Sequence, residues 1–396
     1  MENRLLTDKH VLICLEQTEL ASPTELEYVK SNFCGIVLAD VGGLNSYAED
    51  TIVYLCGNIR RLYETPIILN KVMYVIKELS NNYCGEKLIS IGEVPINVHN
   101  VGIYFRDFFS SDRDYFNLIN DAHQFQSLTE SNKPGTSYRK GIYMSNVQTN
   151  ADDTCRSFNL LRCSTNFNGP TENFREIDSE IIDKVNSVTK HFFKEEVKVN
   201  HVLAQIYENH IIDGGKERKA RIKDHSDKTK DMPRNALIVF CTFYKNLAGA
   251  KKSGFDYHYN DQSVLTKLRF RLKTAHTVVN AKKEFDVVLY PNSVFIISLE
   301  TNRLYTHEIV PSILPISKIP IRMGYVIRCS KTHAVSRDGE TYIVEDDKHI
   351  KLEKMTEDNV NELRKLYFEE NLSNNMVTYG PTYFSMNDGD YQMPII

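Results

Sequence analysis

A histidine and an aspartate that could bind one metal ion stand two positions apart, as His225 and Asp227. In an extended segment, side chains two positions apart point to the same face, so both could bind a cation from one side. A third ligand must come from a distant strand, and His307 follows a predicted strand–turn–strand unit, DVVLYPNSVFIISLE. Two imidazoles and one carboxylate on one side of a cation leave its opposite side open to other molecules.

Two arginines that could hold a carboxylate follow His307, in the segment IRMGYVIR. As a strand, this segment places Arg322 and Arg328 on one face, toward a cavity, and its apolar residues on the other face, toward the core. A guanidinium binds a planar carboxylate through two parallel hydrogen bonds. The metal donor set is that of the facial triad of non-haem Fe(II) oxygenases, and an arginine would serve a co-substrate in the open positions.

In their order along the chain, these elements resemble the 2-oxoglutarate- and Fe(II)-dependent oxygenases, and the AlkB-type branch most closely. The resemblance runs over residues 201–328. The segment KDHSDKT resembles the stretch with the first two metal ligands, and LYTHEI is similar to the stretch with the last one. RMGYVIR resembles the arginine strand of the family, and HVLAQIYENH resembles the strand that places an amide and a tyrosine on the co-substrate.

The resemblance implies a double-stranded β-helix, or jelly roll. It also implies Fe(II), 2-oxoglutarate and O2 as cofactor and co-substrates, with oxidative decarboxylation of 2-oxoglutarate to succinate coupled to hydroxylation of a C–H bond. By position, the metal ligands, which are also the catalytic residues, would be His225, Asp227 and His307. The residues that bind the co-substrate would be Arg322, Tyr207, Gln205 and Arg328.

Two residues depart from the family's pattern. Gln205 stands where the family has an asparagine on the co-substrate strand, and Gly324 stands where it has an asparagine two positions after the first arginine. Arg328 has a less defined role, since it could touch the co-substrate, position the substrate or cap its strand. The substrate itself is left open, because loops around the mouth of the barrel select it and a fold does not fix a function.

The chain of 396 residues is expected to be an α+β protein in three parts. Residues 1–86 alternate strand-like and helix-like pieces, which predicts a small α/β domain of unknown role. Within it, residues 66–79 repeat apolar side chains every three to four positions, which predicts a helix. Short apolar runs between Asn, Gly, Ser and Asp clusters predict the jelly-roll domain over residues 87–345. Residues 346–396 contain a charged helix, over residues 356–371, and a polar tail.

The net charge gives no general sign of nucleic-acid binding, because 48 basic residues are offset by 52 acidic ones. Two local basic stretches, residues 216–230 and 267–283, could instead follow a phosphate backbone beside the candidate metal site. These stretches and the family resemblance favour an alkylated nucleobase in DNA or RNA as the substrate. Two alternatives stay open, a hydroxylase of a protein side chain or small molecule, and a non-catalytic binding module.

Other features exclude common functions and bear on location. The sequence has no GxxxxGK[ST], GxGxxG or HExxH motif, so the commonest nucleotide-binding and zinc-protease assignments lack support. It has no apolar run of about 18 residues that could cross a membrane, and no signal-peptide pattern. The eight cysteines are scattered without a CxxC pair. This predicts free thiols in an intracellular protein of the cytoplasm or nucleus.

Overall fold

The computed structural model describes residues 5–16, 23–64, 71–129, 136–163, 167–247, 249–273, 281–373 and 375–396. Over these residues the protein is a mixed α+β structure that is rich in strands. None of the helices described is long and apolar enough to span a membrane. All eight cysteines fall within the described ranges and none of them forms a disulfide bond there, as the sequence predicts.

The N-terminal part is a parallel sheet with one helix. Its elements are β1 (His10–Cys14), α1 (Pro23–Asn32), β2 (Ile36–Leu38), β3 (Ile52–Asn58), β4 (Val72–Asn81) and β5 (Leu88–Ile89). The strands pair in the order β2-β1-β3-β4-β5. The helix predicted over residues 66–79 is wrong, because residues 72–79 belong to β4 and residues 66–70 lie outside the described ranges. Parallel pairing with β3 and the strand preference of Val, Tyr and Ile outweigh the local apolar spacing.

The middle of the chain contains most of the strands and three helices. In chain order these elements are β6 (Ile96–Val98), β7 (Gly102–Phe105), α2 (Tyr115–Ala122), β8 (Gln126–Thr129), β9 (Thr136–Ser145), β10 (Gln148–Thr149), β11 (Cys155–Leu160), β12 (Glu172–Asn173), α3 (Glu176–Thr189), β13 (His201–Tyr207), β14 (His210–Ile212), β15 (Lys216–Arg218), β16 (Leu237–Lys245), β17 (Lys251–Ser253), β18 (Asp256–Tyr259), β19 (Gln262–Ser263), β20 (Lys267–Leu272), β21 (Glu284–Val288), β22 (Val294–Ser298), α4 (Leu299–Leu304), β23 (Tyr305–Val310) and β24 (Ile321–Arg328).

Two sheets from this part of the chain position the candidate site. The major sheet has the order β12-β9-β13-β24-β16-β22-β7-β6, and β8 pairs with β9. The minor sheet has the order β21-β20-β23. In the major sheet, β24 lies between β13 and β16 and is antiparallel to both, so that directly opposed side chains share a face.

The C-terminal part adds β25 (Thr332–Arg337), β26 (Glu340–Glu345), β27 (Lys348–Lys351) and α5 (Glu357–Leu372). The three strands extend a separate sheet, β10-β11-β25-β26-β27. The position of α5 confirms the charged helix predicted from the sequence, and Thr356 caps its first turn. The polar tail lies against the rest of the protein, with Phe384 and Asp390 buried.

One apolar core is shared between the N-terminal sheet and the major sheet. It includes Leu12 and Tyr54 from the parallel sheet together with Met323, Tyr325 and Ile327 from β24. The apolar face predicted for this last strand is therefore buried, and its other face is left for Arg322 and Arg328. A second core covers the opposite face of the parallel sheet. The predicted domain boundaries, at residues 86 and 345, stay predictions.

Candidate metal centre

The three candidate metal ligands lie on two neighbouring segments of backbone. His307 is in β23, where it is paired with Phe270 of β20. His225 lies between β15 and β16, and its N–H donates to the His307 carbonyl at 3.0 Å. The His307 N–H donates back to the His225 carbonyl at 2.7 Å. This single antiparallel bridge brings together two histidines that are far apart in the sequence.

The side chains of these residues converge on one point. One ligand atom each from His225, Asp227 and His307 lies within 4.8 Å of the other two. Nε2 of His225 is 3.7 Å from Oδ1 of Asp227, and Nε2 of His307 is 3.9 Å from the same oxygen. Nδ1 of His225 lies 2.8 Å from the Lys223 carbonyl, so Nδ1 is the donor and Nε2 keeps a lone pair for a metal. That these three residues bind a metal stays a prediction.

The candidate carboxylate ligand is held from its side chain and from its backbone. Nε and Nη2 of Arg328 lie 2.9 and 2.8 Å from Oδ2 of Asp227. The Asp227 N–H donates to Oδ1 of Asn302 at 2.9 Å, and Nδ2 of Asn302 donates to the Asp227 carbonyl at 2.9 Å. Arg328 therefore holds a candidate ligand, which is a role that differs from the three considered from the sequence.

The electrostatics of the centre favour the protonation states that a metal requires. Burial alone would raise the pKa of Asp227, but the charge of the neighbouring Arg328 guanidinium opposes burial most strongly, and this pKa lies well below its usual range. Burial, followed by the neighbouring His225, lowers the pKa of His307 to about 3. The ring of Phe240 packs edge-on against His307. An ionised carboxylate and neutral imidazoles are the forms that bind metal ions.

Arg322 lies on the same face of β24 as Arg328 and is only 3% exposed. Its Nε and Nη2 atoms are buried and have no hydrogen-bond partner within the described residues. The guanidinium carbon lies 4.0 Å from the centre of the Tyr207 ring, and Tyr207 is directly opposite in β13. A Cβ atom at Gly324 would lie 3.0 Å from Nη1 of Arg322, so the glycine leaves room for the guanidinium.

The other two residues predicted on the co-substrate strand lie beside this arginine. Gln205 and Tyr207 are both buried, and the Tyr207 hydroxyl donates to Oε1 of Gln205 at 3.3 Å. A small cavity next to them is lined by Tyr207 and Arg322 together with Thr266 and Ile309. The structure thus forms a second polar site on the same face of the sheet as the Asp227–Arg328 pair. Binding of a co-substrate there stays a prediction.

The two basic stretches are only partly available to an external partner. Three of their lysines are buried: Lys228, Lys230 and Lys273. Arg269 pairs with Asp286 at 2.7 Å, and Arg271 pairs with Glu284 at 2.6 Å. The exposed cations of the first stretch are Lys216, Arg218, Arg221 and Lys223. Residues 274–280 of the second stretch lie outside the described ranges.

Sequence reasoning missed two asparagines that fix the segment between His225 and Asp227. Asn302 accepts the N–H of Asp227 and donates to the Asp227 carbonyl, so it binds the two peptide groups that flank this residue. Oδ1 of Asn371, in α5, accepts the N–H of Ser226 at 2.9 Å. Neither contact is local, since the partners are 75 and 145 residues apart, and no spacing rule could have found them.

Among solved structures, the chain is similar to that of rice ALKBH1, an AlkB homologue, with a TM-score of 0.33 and 11% sequence identity. The match covers 58% of this chain and 96% of the rice protein. No family model matches the chain, and no curated protein matches it. The likeness to the AlkB-like group is distant, so the function has to be inferred from the side chains themselves.

Proposed function

We propose that the protein is an Fe(II)- and 2-oxoglutarate-dependent dioxygenase. The observation that carries this proposal is the convergence of His225, Asp227 and His307, with a buried and unpartnered arginine on the adjoining strand. Two nitrogens and one oxygen on one side of a centre are the donor set of a facial triad. In this proposal the major and minor sheets are the two sheets of a double-stranded β-helix, with the site between them.

The unpartnered Arg322 supports 2-oxoglutarate as the co-substrate. Burying a guanidinium without a counter-ion is costly, so such a group fits a site that receives an anion. A carboxylate can accept hydrogen bonds from Nε and Nη2 together, which are the two atoms that lack partners. Tyr207 covers one face of the guanidinium, and its hydroxyl could reorient from Gln205 to the same carboxylate.

Each residue then has a defined task. When bound, Fe(II), 2-oxoglutarate and O2 supply the oxidising chemistry for hydroxylation of a C–H bond. Arg328 keeps Asp227 ionised, so that the carboxylate offers Oδ1 while Oδ2 stays paired. Burial keeps His307 neutral, with its lone pair available. Phe240 packs on the His307 ring and limits water on that side of the centre.

The direct test is an anaerobic titration of the purified protein with Fe(II) and then with 2-oxoglutarate. We expect a visible charge-transfer band that appears only when both are present. Arg322→Ala should raise the 2-oxoglutarate concentration needed for half of this band about 100-fold, since two charge-assisted hydrogen bonds are lost. Iron affinity should stay unchanged. Arg269→Ala, which removes an exposed ion pair of the minor sheet, is the matched control.

Two outcomes would contradict the proposal. One is the absence of any band with the wild-type protein at saturating Fe(II) and 2-oxoglutarate. The other is an Arg322→Ala variant that loses iron but keeps its dependence on 2-oxoglutarate. That result would show that Arg322 does not bind the carboxylate of 2-oxoglutarate.

As substrate we propose an alkylated base in DNA or RNA. The support is the run of exposed cations that leads along the chain to His225, namely Lys216, Arg218, Arg221 and Lys223. All four side chains are exposed, so they can meet phosphates. Removing all four by alanine substitution should raise the KM for an N-methylated single-stranded oligonucleotide, and the KM of the wild type should rise with salt.

The same experiment distinguishes the alternatives. Succinate release that is stimulated by the methylated oligonucleotide, and weakened by salt, would support a nucleic-acid substrate. Stimulation by a peptide or a small molecule alone, with no dependence on the four cations, would overturn it in favour of another hydroxylase.

A further inference from the structure

The C-terminal helix α5 ends directly against the segment that carries the first two candidate ligands. Oδ1 of Asn371 accepts the N–H of Ser226, the residue between His225 and Asp227. The same oxygen accepts a hydrogen bond from Nζ of Lys228 at 2.8 Å. Lys228 also donates to the Tyr367 carbonyl at 2.9 Å. One side chain of α5 is therefore bonded on both sides of Asp227.

Further contacts in the same place tie the last turn of α5 to the centre. Thr229 donates to Oε1 of Glu370 through its hydroxyl and, at 3.2 Å, through its N–H. Nζ of Lys273, which follows β20, donates to the carbonyls of Glu370 and Ser373 at 2.5 and 3.2 Å. Two buried ammonium groups thus meet the carbonyl end of the helix, where the helix dipole favours positive charge.

The ligand segment needs these contacts because it has little regular structure of its own. His225 makes a single β-bridge with His307, and residues 226–229 belong to no strand or helix. Ser226 is nevertheless buried, so its N–H requires a partner inside the protein. Asn371 is that partner, and Asn302 supplies the equivalent contact for Asp227.

We propose that Asn371, with Lys228 and Lys273, forms a clamp by which the C-terminal helix fixes the spacing of His225 and Asp227 and thereby sets the affinity of the centre for a divalent metal. This inference rests on the proposed function, since it takes the three residues as a metal site. The clamp residues are positioning residues, because none of them contributes a ligand atom to the centre. The clamp also explains why Lys228 and Lys273, which the sequence suggested for phosphate contact, are buried.

The experiment measures Co(II) binding to the full-length, metal-free protein, by the visible absorbance of the bound ion. Asn371→Ala should weaken Co(II) binding at least ten-fold and change the shape of the spectrum, as removal of groups that orient ligands does elsewhere. Asn371→Asp keeps an oxygen acceptor for both donors and should restore the wild-type affinity. Asn361→Ala, on the exposed side of the same helix, is the matched control and should match the wild type.

A second variant guards against a folding defect. Lys273→Met releases only the last carbonyls of α5, and should weaken Co(II) binding about three-fold. Urea unfolding in the presence of a chelator reports stability separately for every variant. A purely structural role would lower this stability but leave the affinity and spectrum of the folded protein unchanged, and that result would overturn the clamp. If the wild type bound no Co(II) or Fe(II), the proposed function would fail instead.

Discussion

Each face of β24 adjoins a cluster of histidine and carboxylate side chains. The first cluster is the candidate metal centre and the second is formed by His123, Glu172 and Asp178, and the two differ in the hydrogen bonds and protonation of their histidines. On the face toward the minor sheet, Nε2 of His225 and Nε2 of His307 lie 3.7 and 3.9 Å from Oδ1 of Asp227, distances longer than an ordinary hydrogen bond. On the opposite face, Nδ1 of His123 lies 2.9 Å from Glu172 and Nε2 lies 2.7 Å from Asp178. The hydroxyl of Tyr325, in β24, donates to Asp178 at 2.8 Å.

The difference separates a binding site from a structural cluster. Burial alone would lower the pKa of His123, but hydrogen bonds and the charges of Asp178 and Glu172 outweigh burial and raise this pKa to about 9. A doubly protonated His123 uses both ring nitrogens as donors and has no lone pair for a metal. His307, with one surrounding carboxylate that is already paired with Arg328, is neutral and keeps a lone pair. Both clusters combine histidine with carboxylates, so residue types alone would not show which one can bind a metal, but the hydrogen bonds of the histidines do.

The largest effect is expected when Asp227, the carboxylate of the candidate metal centre, is neutralised. Asp227→Asn should abolish measurable Co(II) or Fe(II) binding, because the anionic ligand is lost. It should also lower the free energy of unfolding of the metal-free protein by about 3–5 kcal/mol, because Arg328 is left buried without a counter-ion. Asp224→Asn, in the same segment but exposed, should change neither quantity. Retained metal binding in Asp227→Asn would show that this cluster is not a metal site.

Neutralising Asp178, a carboxylate of the second cluster, should lower the stability of the protein without changing its metal affinity. Asp178→Asn should lower the free energy of unfolding by about 3 kcal/mol in urea, because His123 loses one of its two anionic partners. Co(II) affinity should equal that of the wild type. The exposed Asp183, on the same helix α3, provides the control as Asp183→Asn. A weakened metal affinity in Asp178→Asn would mean that the two faces of β24 are not independent.

The raised pKa of His123 predicts a pH dependence with a definite sign. The folded pKa, about 9, lies above the unfolded value of about 6.5, so the stabilisation is fully present below pH 6.5 and is lost as the pH rises through 9. The difference in unfolding free energy between the wild type and His123→Gln should therefore fall by about 3 kcal/mol over this range. A difference independent of pH would contradict the charged form of His123.

The smallest effect is expected for the tyrosine that joins the second cluster to β24. Tyr325→Phe removes one hydrogen bond to Asp178 and should cost about 1 kcal/mol of unfolding free energy. Asp178 keeps its bonds to His123 and to the N–H of Arg175. Urea denaturation checks this value. A loss of 3 kcal/mol or more would show that the tyrosine is essential to the charged cluster.

The sequence was informative where neighbouring residues determine the geometry. The same-face placement of His225 and Asp227 follows from extended backbone, and the buried apolar face of β24 follows from alternation. The wrong helix over residues 66–79 shows the limit of local spacing, because pairing with β3 decided the outcome. Asn371 shows a second limit, since its contact with Ser226 depends on where a C-terminal helix docks. Likewise, counting the basic residues along the chain does not reveal that Lys228 is buried.

The alternation of β24 also limits which changes in chain length the protein can accept. Arg322 and Arg328 are separated by an even number of positions, whereas Tyr325 is an odd number of positions from each of them. The two guanidiniums therefore point to one side of the sheet and the phenol points to the other. Adding or deleting one residue between Arg322 and Tyr325 would turn one of these groups toward the wrong side of the sheet. Insertions there should therefore be far more damaging than substitutions, even when every original residue is kept.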